Sequence, residues 1–387
     1  MRAYKTELDP NNKQATLFGQ FAEARQFVYN IALREWKHQY ENGGKPSEYS
    51  LRRQFNTAKH KFATFDPHFR NAVSAPYAVT EGAFKDLGAA FGNFFRRIKQ
   101  GAKEPGHPKF SKRADRFAIR NIAVEIDRVR ITNVGWVRLK ERNYIPVSAT
   151  YGTYAVISKC AGRWFISVLV KDEDNELGAQ NNGPVLGIDF GLKSLAVLSD
   201  GTVYENPRPL CMAQLKLKRL QRELARRKKG GSNWHKTKRK LQRQHAKVAD
   251  IRRHALHQIS HDLVMNKHPS IIVLEDLNVS GMMKNHCLAQ AISDVGFSEL
   301  RRQIEYKASR NGTTVLFVDR WFPSSKACSG CGCLKDDLTL ADRTYECEHC
   351  GLTIDRDLNA ALNLAAIGER SNGAGLPVEL GRGKAPL

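Results

Sequence analysis

The sequence predicts a multidomain α+β protein: a helical module, a small antiparallel β-barrel, and a mixed α/β domain into which a metal-binding ribbon is inserted. Three observations predict it. The chain has 387 residues, more than one ordinary core of roughly 100 to 200 residues holds. Apolar spacing changes from threes and fours to strict alternation across a Gly/Pro-rich break at residues 101–108. Two C-x-x-C pairs then interrupt the last part of the chain.

Residues 2–8 read as a short strand closed by the turn Asp9-Pro10-Asn11-Asn12, so residues 1–10 are assigned to the barrel. Residues 11–104 form the helical module: Leu17, Phe21, Ala24, Val28 and Ile31 recur at helical spacing, as do Phe84, Leu87, Phe91, Phe94 and Phe95. The barrel occupies residues 105–180. Its strands are expected at 128–132, 135–140, 154–159 and 163–170, with Cys160-Ala161-Gly162 at a hairpin turn between the last two. A polar linker covers 172–182. The third domain takes residues 181–321 and 353–370, the ribbon residues 322–352, and a flexible tail residues 371–387.

Sixty-two Lys and Arg against thirty-nine Asp and Glu give a formal charge of +23 and a pI near 9.8. Such an excess implies a polyanionic partner. No apolar run reaches the roughly 18 residues of a membrane span, and the opening Met1-Arg2-Ala3-Tyr4-Lys5 lacks the apolar core of a signal peptide, so a cytoplasmic protein without membrane contact is expected. Five of the eight cysteines lie between Cys328 and Cys350. In a reducing compartment that spacing means metal ligation and excludes a disulfide framework. Cys160, Cys211 and Cys287 stand alone and are expected to be buried small apolar residues.

Three acids carry the catalytic reading. Val185-Leu186-Gly187-Ile188-Asp189-Phe190-Gly191 is an apolar strand ending in an acid, and a second apolar run at 194–198 makes it a hairpin. Ile271-Ile272-Val273-Leu274-Glu275 repeats the design with Glu275 at the carboxyl end, where open α/β sheets place ligands. Asp355-Arg356-Asp357-Leu358-Asn359-Ala360-Ala361 opens a helix with acids in its first turn. Carboxylates on three rigid elements suit two Mg²⁺ ions about 4 Å apart, an arrangement used to hydrolyse phosphodiesters. Hard divalent cations take oxygen donors, so Asp and Glu serve here without His.

Cys328-Ser329-Gly330-Cys331-Gly332 and Cys347-Glu348-His349-Cys350-Gly351 are separated by fifteen residues. Each pair with its glycine makes a tight knuckle, and four thiolates with no open position describe a structural Zn²⁺ site of Cys328, Cys331, Cys347 and Cys350. Cys333 is a spare thiol. The ribbon either orders the segment that delivers Asp357 or acts as an independent nucleic-acid-binding finger.

Between residues 216 and 253 stand sixteen Lys or Arg and two acids, in helical pattern broken at 229–233, with Leu215, Leu217, Leu220 and Leu224 as the apolar side. This basic helical hairpin is too one-signed to neutralise itself, so Arg227, Lys228, Lys229, Lys236, Lys238 and Arg239 are candidate phosphate contacts. Lys112, Arg113 and Arg116 lie among Phe110 and Phe117, an interleaving suited to single strands or heteroduplexes.

Together the motifs G-I-D-F-G, V-L-E-D-L, C-S-G-C-G, C-E-H-C-G and D-R-D-L-N-A-A-L-N resemble the C-terminal half of the TnpB (OrfB) family of transposon-encoded proteins and the miniature type V CRISPR effectors similar to them. That resemblance implies an RNase H-like (RuvC) α/β nuclease domain with an inserted zinc ribbon, preceded by a helical recognition domain and a wedge barrel. It makes Asp189, Glu275 and Asp357 the catalytic, Mg²⁺-holding acids, Asp357 being preferred to Asp355 because the family acid stands immediately before x-N-A-A. It also implies a transposon-derived guide RNA, and target double-stranded DNA recognised by base pairing beside a short adjacent motif. All three acids are present, which speaks against a nuclease-dead relative. Two other readings stay open: an RNA-guided DNA-binding regulator that does not cut, and a transposase joining DNA ends.

Overall fold

A computed structural model describes residues 2–113, 115–147, 154–170, 181–339 and 342–373, in two compact units, Met1–Glu173 and Asp174–Leu387. No helix among the described residues is long and apolar enough to cross a membrane.

The first unit starts with β1 (Arg2–Asp9) and α1 (Asn12–Glu41). A reciprocal cap begins α1: the Asn11 side chain accepts from the Gln14 N–H at 2.9 Å, and Gln14 Oε1 accepts from the Asn11 N–H at 3.1 Å. Then come α2 (Glu48–Ala63), α3 (Pro67–Ser74) and α4 (Tyr77–Lys99). The strands β2 (Arg116–Arg120), β3 (Ala123–Val124), β4 (Arg128–Ile131), β5 (Gly135–Leu139), β6 (Tyr154–Cys160) and β7 (Arg163–Val170) complete it. With β1 they make one antiparallel sheet, ordered β2-β6-β7-β1-β5-β4-β3. The amino-terminal strand is thus central, in register with β7 from Arg2↔Val170 to Leu8↔Trp164. The β6–β7 turn puts Ala161 and Gly162 at φ 51° and 81°, as a two-residue primed turn requires.

The expected barrel does not close. Among the described residues β2 pairs with β6 and the two-residue β3 with β4, so both ends of the sheet are edges. Helices cover its apolar face instead: Phe18 and Phe21 of α1 pack on Phe117 at 5.8 and 5.7 Å, and Phe18 on Trp164 at 5.3 Å. Helices and strands therefore share one core. Phe117, grouped in sequence with the exposed cations, is 1% exposed, because strand alternation turns it inward while Arg116 faces out.

The second unit opens with β8 (Val185–Asp189), β9 (Ser194–Leu198) and β10 (Val203–Glu205). The helices α5 (Pro209–Arg226) and α6 (Ser232–His261) follow, α6 ending in a π-helical turn at Asp262–Asn266. Next come β11 (Ile271–Glu275), α7 (Val279–Met282), α8 (Ala289–Val295), α9 (Phe297–Arg310) and β12 (Thr314–Val318). A hairpin of β13 (Thr344–Glu346) and β14 (Thr353–Asp355) leads into α10 (Arg356–Gly373). The sheet order is β10-β9-β8-β11-β12; β8, β11 and β12 are parallel, β9 and β10 antiparallel.

β8 and β11 are apolar up to their terminal acids because both faces of the sheet are covered. Leu364 of α10 packs with Ile271 and Val273 on one face. Leu256 and Ile259 of α6, with Leu300 and Ile304 of α9, pack with Ile188 and Leu274 on the other. Residues 371–373, expected in a flexible tail, belong to α10; the rest of that tail and most of the 172–182 linker lie outside the described residues. The isolated cysteines are a correction. Cys160, Cys211 and Cys287 are all exposed, since they fall at a strand end, in the first turn of a helix and in a loop.

Candidate active site and metal centre

The last register pair between β8 and β11 is Leu274↔Ile188, so one residue further the parallel ladder sets Glu275 level with Asp189. The third acid arrives on α10, which lies on β8 backbone to backbone. A Cβ at Gly187 would stand 2.0 Å from the carbonyl oxygen of Ala361 and 2.5 Å from the N of Ala365. One at Gly368 would stand 2.6 Å from Val185 Cγ1. These contacts run α10 antiparallel to β8, with the turn carrying Asp357 toward the Asp189 end.

The acids feel one another. Asp189 keeps part of its surface exposed, yet its setting pushes its carboxyl up to about 7; burial is the largest cause, followed by the negative charges of Glu275 and Asp357, with Arg356 opposing. Glu275 Oε1 accepts the hydroxyl of Ser324, and Asp357 Oδ1 meets Arg356 Nη2 at 3.3 Å. Asp355 has a different employment. Its Oδ1 accepts the N–H groups of Asp357 at 2.9 Å and Leu358 at 3.0 Å, capping α10.

Beside Glu275 a cleft of about 570 Å³ is lined by Phe190, Asp276, Arg301, Arg302 and Arg320 among others. Asp276 accepts from Arg301 at 2.7 Å and Arg320 at 3.0 Å, and the Arg301 bond foremost holds its carboxyl below the usual range. Arg301 also lies 3.8 Å from the centre of the Phe317 ring. Reading the sequence missed Ser324, Arg301 and Arg320. They stand outside the basic runs, and only the three-dimensional approach of α9 and the segment after β12 brings the arginines to the cleft and Ser324 to Glu275.

Cys328, Cys331, Cys347 and Cys350 converge, with every sulfur within 4.8 Å of the others. The pairs Cys328–Cys350 and Cys331–Cys347 are each 3.6 Å apart, close to the roughly 3.8 Å edge of a tetrahedron with 2.3 Å metal–sulfur bonds. Gly332 and Gly351 adopt φ of 78° and 73°, which lets each knuckle fold back, their N–H groups donating to the carbonyls of Cys328 and Cys347 at 2.8 and 2.9 Å. Cys333, the spare thiol, groups with Cys331 and His349. The three carboxylates do not reach the same mutual 4.8 Å spacing, and the cluster that could hold zinc is the tighter of the two sites.

The basic candidates separate into two sets. Lys112 and Arg113 are exposed on the loop before β2, and Arg116 pairs with Asp86 at 3.5 Å. In the second unit α5 and α6 make the expected hairpin. Lys228 and Lys229 lie in its turn, and Lys236, Lys238 and Arg239 are exposed on the first turns of α6, Lys238 lying 4.8 Å from the Trp234 ring centre. Arg227 is drawn to Glu223 at 3.2 Å. Leu217 and Leu220 are buried between the helices, whereas Leu215, expected on that side, is 83% exposed.

Fold and site thus define a multidomain α+β protein with carboxylates at the carboxyl ends of parallel strands and a four-cysteine cluster beside them in sequence. Family profiles match in three places: residues 166–286 to OrfB_IS605, described as "Probable transposase", residues 297–364 to "Cas12f1-like, TNB domain", and residues 1–45 to a "Helix-turn-helix domain" of OrfB_IS605. The chain is 33% identical to a protein of Escherichia coli (strain K12) named "Putative RNA-guided DNA endonuclease InsQ", over 99% of this chain and 96% of that one. It is 33% identical to a "Putative RNA-guided DNA endonuclease" of Streptomyces pristinaespiralis, over 97% of this chain and 91% of that one. A solved structure of CasPhi-2 (Cas12j) bound to crRNA aligns over 95% of this chain and 97% of that chain at 10% identity and a TM-score of 0.47. The chain belongs to the TnpB (OrfB) family.

Proposed function

We propose that the protein is the RNA-guided DNA endonuclease of a transposable element, with Asp189, Glu275 and Asp357 as its catalytic acids. The names of its full-length relatives support the activity. One observation carries the site: three carboxylates from three elements come close enough that Asp189 feels the charge of both others. A bound cation would offset the charges that raise Asp189, and an all-oxygen donor set on rigid elements fits Mg²⁺.

When bound, Mg²⁺ would activate water and offset charge on the leaving oxygen of a phosphodiester. Asp189, Glu275 and Asp357 would hold it. Ser324 keeps Glu275 Oε1 in place. Asp276 keeps the guanidinium groups of Arg301 and Arg320 on the cleft wall, where their remaining N–H groups could donate to a phosphate oxygen. The order β10-β9-β8-β11-β12 supports reading residues 181–321 and 353–370 as an RNase H-like (RuvC) domain. Residues 322–352 serve as a structural zinc ribbon, 11–104 as the recognition domain, and 105–180, with strand 1–10, as the wedge. A transposon-derived guide RNA pairs with target DNA next to an adjacent motif, and the exposed cations of the α5–α6 hairpin and of residues 112–116 contact phosphates.

The test is to sequence the RNA that copurifies, rebuild its matched target, and assay cleavage with Mg²⁺. Cutting of the matched duplex by the wild-type protein and none by Asp189→Asn, with target binding kept by both, is the expected result. Binding without cutting by the wild type would instead establish a regulator. End joining without RNA would establish a transposase.

A further inference from the structure

Ser324 lies in the segment between β12 and the first knuckle, 5% exposed. Its hydroxyl donates to Glu275 Oε1. Its backbone is fixed by α10: Asn363 Nδ2 donates to the carbonyls of both Ser324 and Ala327 at 2.7 Å. Asn359, fully buried, donates from Nδ2 to the Ala327 carbonyl at 2.7 Å and accepts the Ser329 N–H on Oδ1 at 2.9 Å. Ala327 and Ser329 flank Cys328, a ribbon cysteine, and Asn359 stands two residues after Asp357.

A glutamate side chain has three rotatable bonds, and a strand fixes none of the outer two. One donor on Oε1 stops that rotation and leaves the other oxygen free for a ligand. Partners of this kind orient the groups that hold a metal, and losing one typically costs about 10- to 100-fold in affinity or activity. A freely rotating solvent molecule could not do this, but a buried hydroxyl on a backbone that the Asn363 amide holds can.

We infer that Ser324 is a positioning residue for Glu275, and that through it and the Asn359/Asn363 clamp one structural unit, the first knuckle with α10, sets the place of two acids at once. The inference rests on the reading of Glu275 as a cation-holding acid. The helix that bears Asp357 also fixes, through Asn363, the backbone of the serine that aims Glu275. The two carboxylates are therefore not placed independently, although 82 residues separate them in the chain.

The purified RNA-bound protein can be loaded with Fe²⁺ and given ascorbate and peroxide, and oxidative backbone cuts near residues 189, 275 and 357 mapped by mass spectrometry. This reads cation binding at the site itself, apart from ions on the RNA. Ser324→Ala should need about tenfold or more Fe²⁺ for half-maximal cutting there. Its kcat for matched DNA should fall by a similar factor at unchanged KM, with zinc content and melting temperature kept, and Ser324→Thr should restore both. Wild-type Fe²⁺ dependence and kcat in Ser324→Ala, alongside loss of both in Glu275→Gln, would overturn the inference alone. Retention of both in Glu275→Gln would instead remove the reading beneath it. Loss of zinc in Ser324→Ala would mean a role in folding the ribbon and also overturn the inference.

Discussion

Gly187 of β8 and Ala361 of α10 meet so closely that a single added methyl carbon at 187 would sit 2.0 Å from the Ala361 carbonyl oxygen. The obstacle is backbone, which cannot swing aside like a flexible side chain, so Gly187→Ala must push α10 off the sheet. Overpacking of this kind costs about 1–3 kcal/mol, sometimes more. The turn bearing Asp357 would move with the helix. Calorimetric melting and a cleavage assay should both show a loss in Gly187→Ala; wild-type values in both would mean that α10 does not depend on this close approach.

The ribbon should carry one Zn²⁺ per chain by elemental analysis. In Cys347→Ser that metal should be lost. Because Asn359 and Asn363 of α10 hold the backbone around Cys328, melting temperature and cleavage should fall together. Stable, fully active Cys347→Ser would leave the ribbon as an independent finger.

Acid stability should carry the mark of Glu299. The two hydrogen bonds from Arg302, at 2.7 and 2.8 Å, chiefly pull its carboxyl from 4.5 down to about 2, helped by Gln303. A folded-state value below the unfolded one stabilises the protein above pH 4.5, and that contribution drains away as the pH falls toward 2. Urea midpoints of wild type and Glu299→Gln should therefore differ most at neutral pH and converge near pH 2. A constant difference across that window would contradict the assignment.

Phosphate binding by the α5–α6 hairpin is tested by salt. Lys236→Glu with Lys238→Glu should weaken RNA binding, and the slope of log affinity against log salt should drop by roughly 0.7 to 0.9 for each phosphate that is no longer neutralised. An unchanged slope would assign these lysines to solvent.

Much of this arrangement is legible in the sequence because it is local. An apolar strand ending in Asp189 or Glu275, a knuckle glycine after Cys331 or Cys350, and the break between α5 and α6 are each written in a few neighbouring residues. What depends on distant partners is not. Asp355 and Asp357 look alike in sequence, and only the N–H groups that Asp355 caps tell them apart. Barrel closure needs β2 to find β3, and nothing in either strand records that α1 covers the face between them. Phe117 reads as a neighbour of cations until β2 turns it inward. Ser324, Arg301 and Arg320 carry no motif at all, since their importance comes from folding beside Glu275 and Asp276.

The helix α10 that supplies the third carboxylate is also the last element described in the chain. A chain without it would lack the carboxylate of Asp357, leave Ile271 and Val273 uncovered, and release the backbone around Cys328, so the cleft, the sheet behind it and the first knuckle would be lost together.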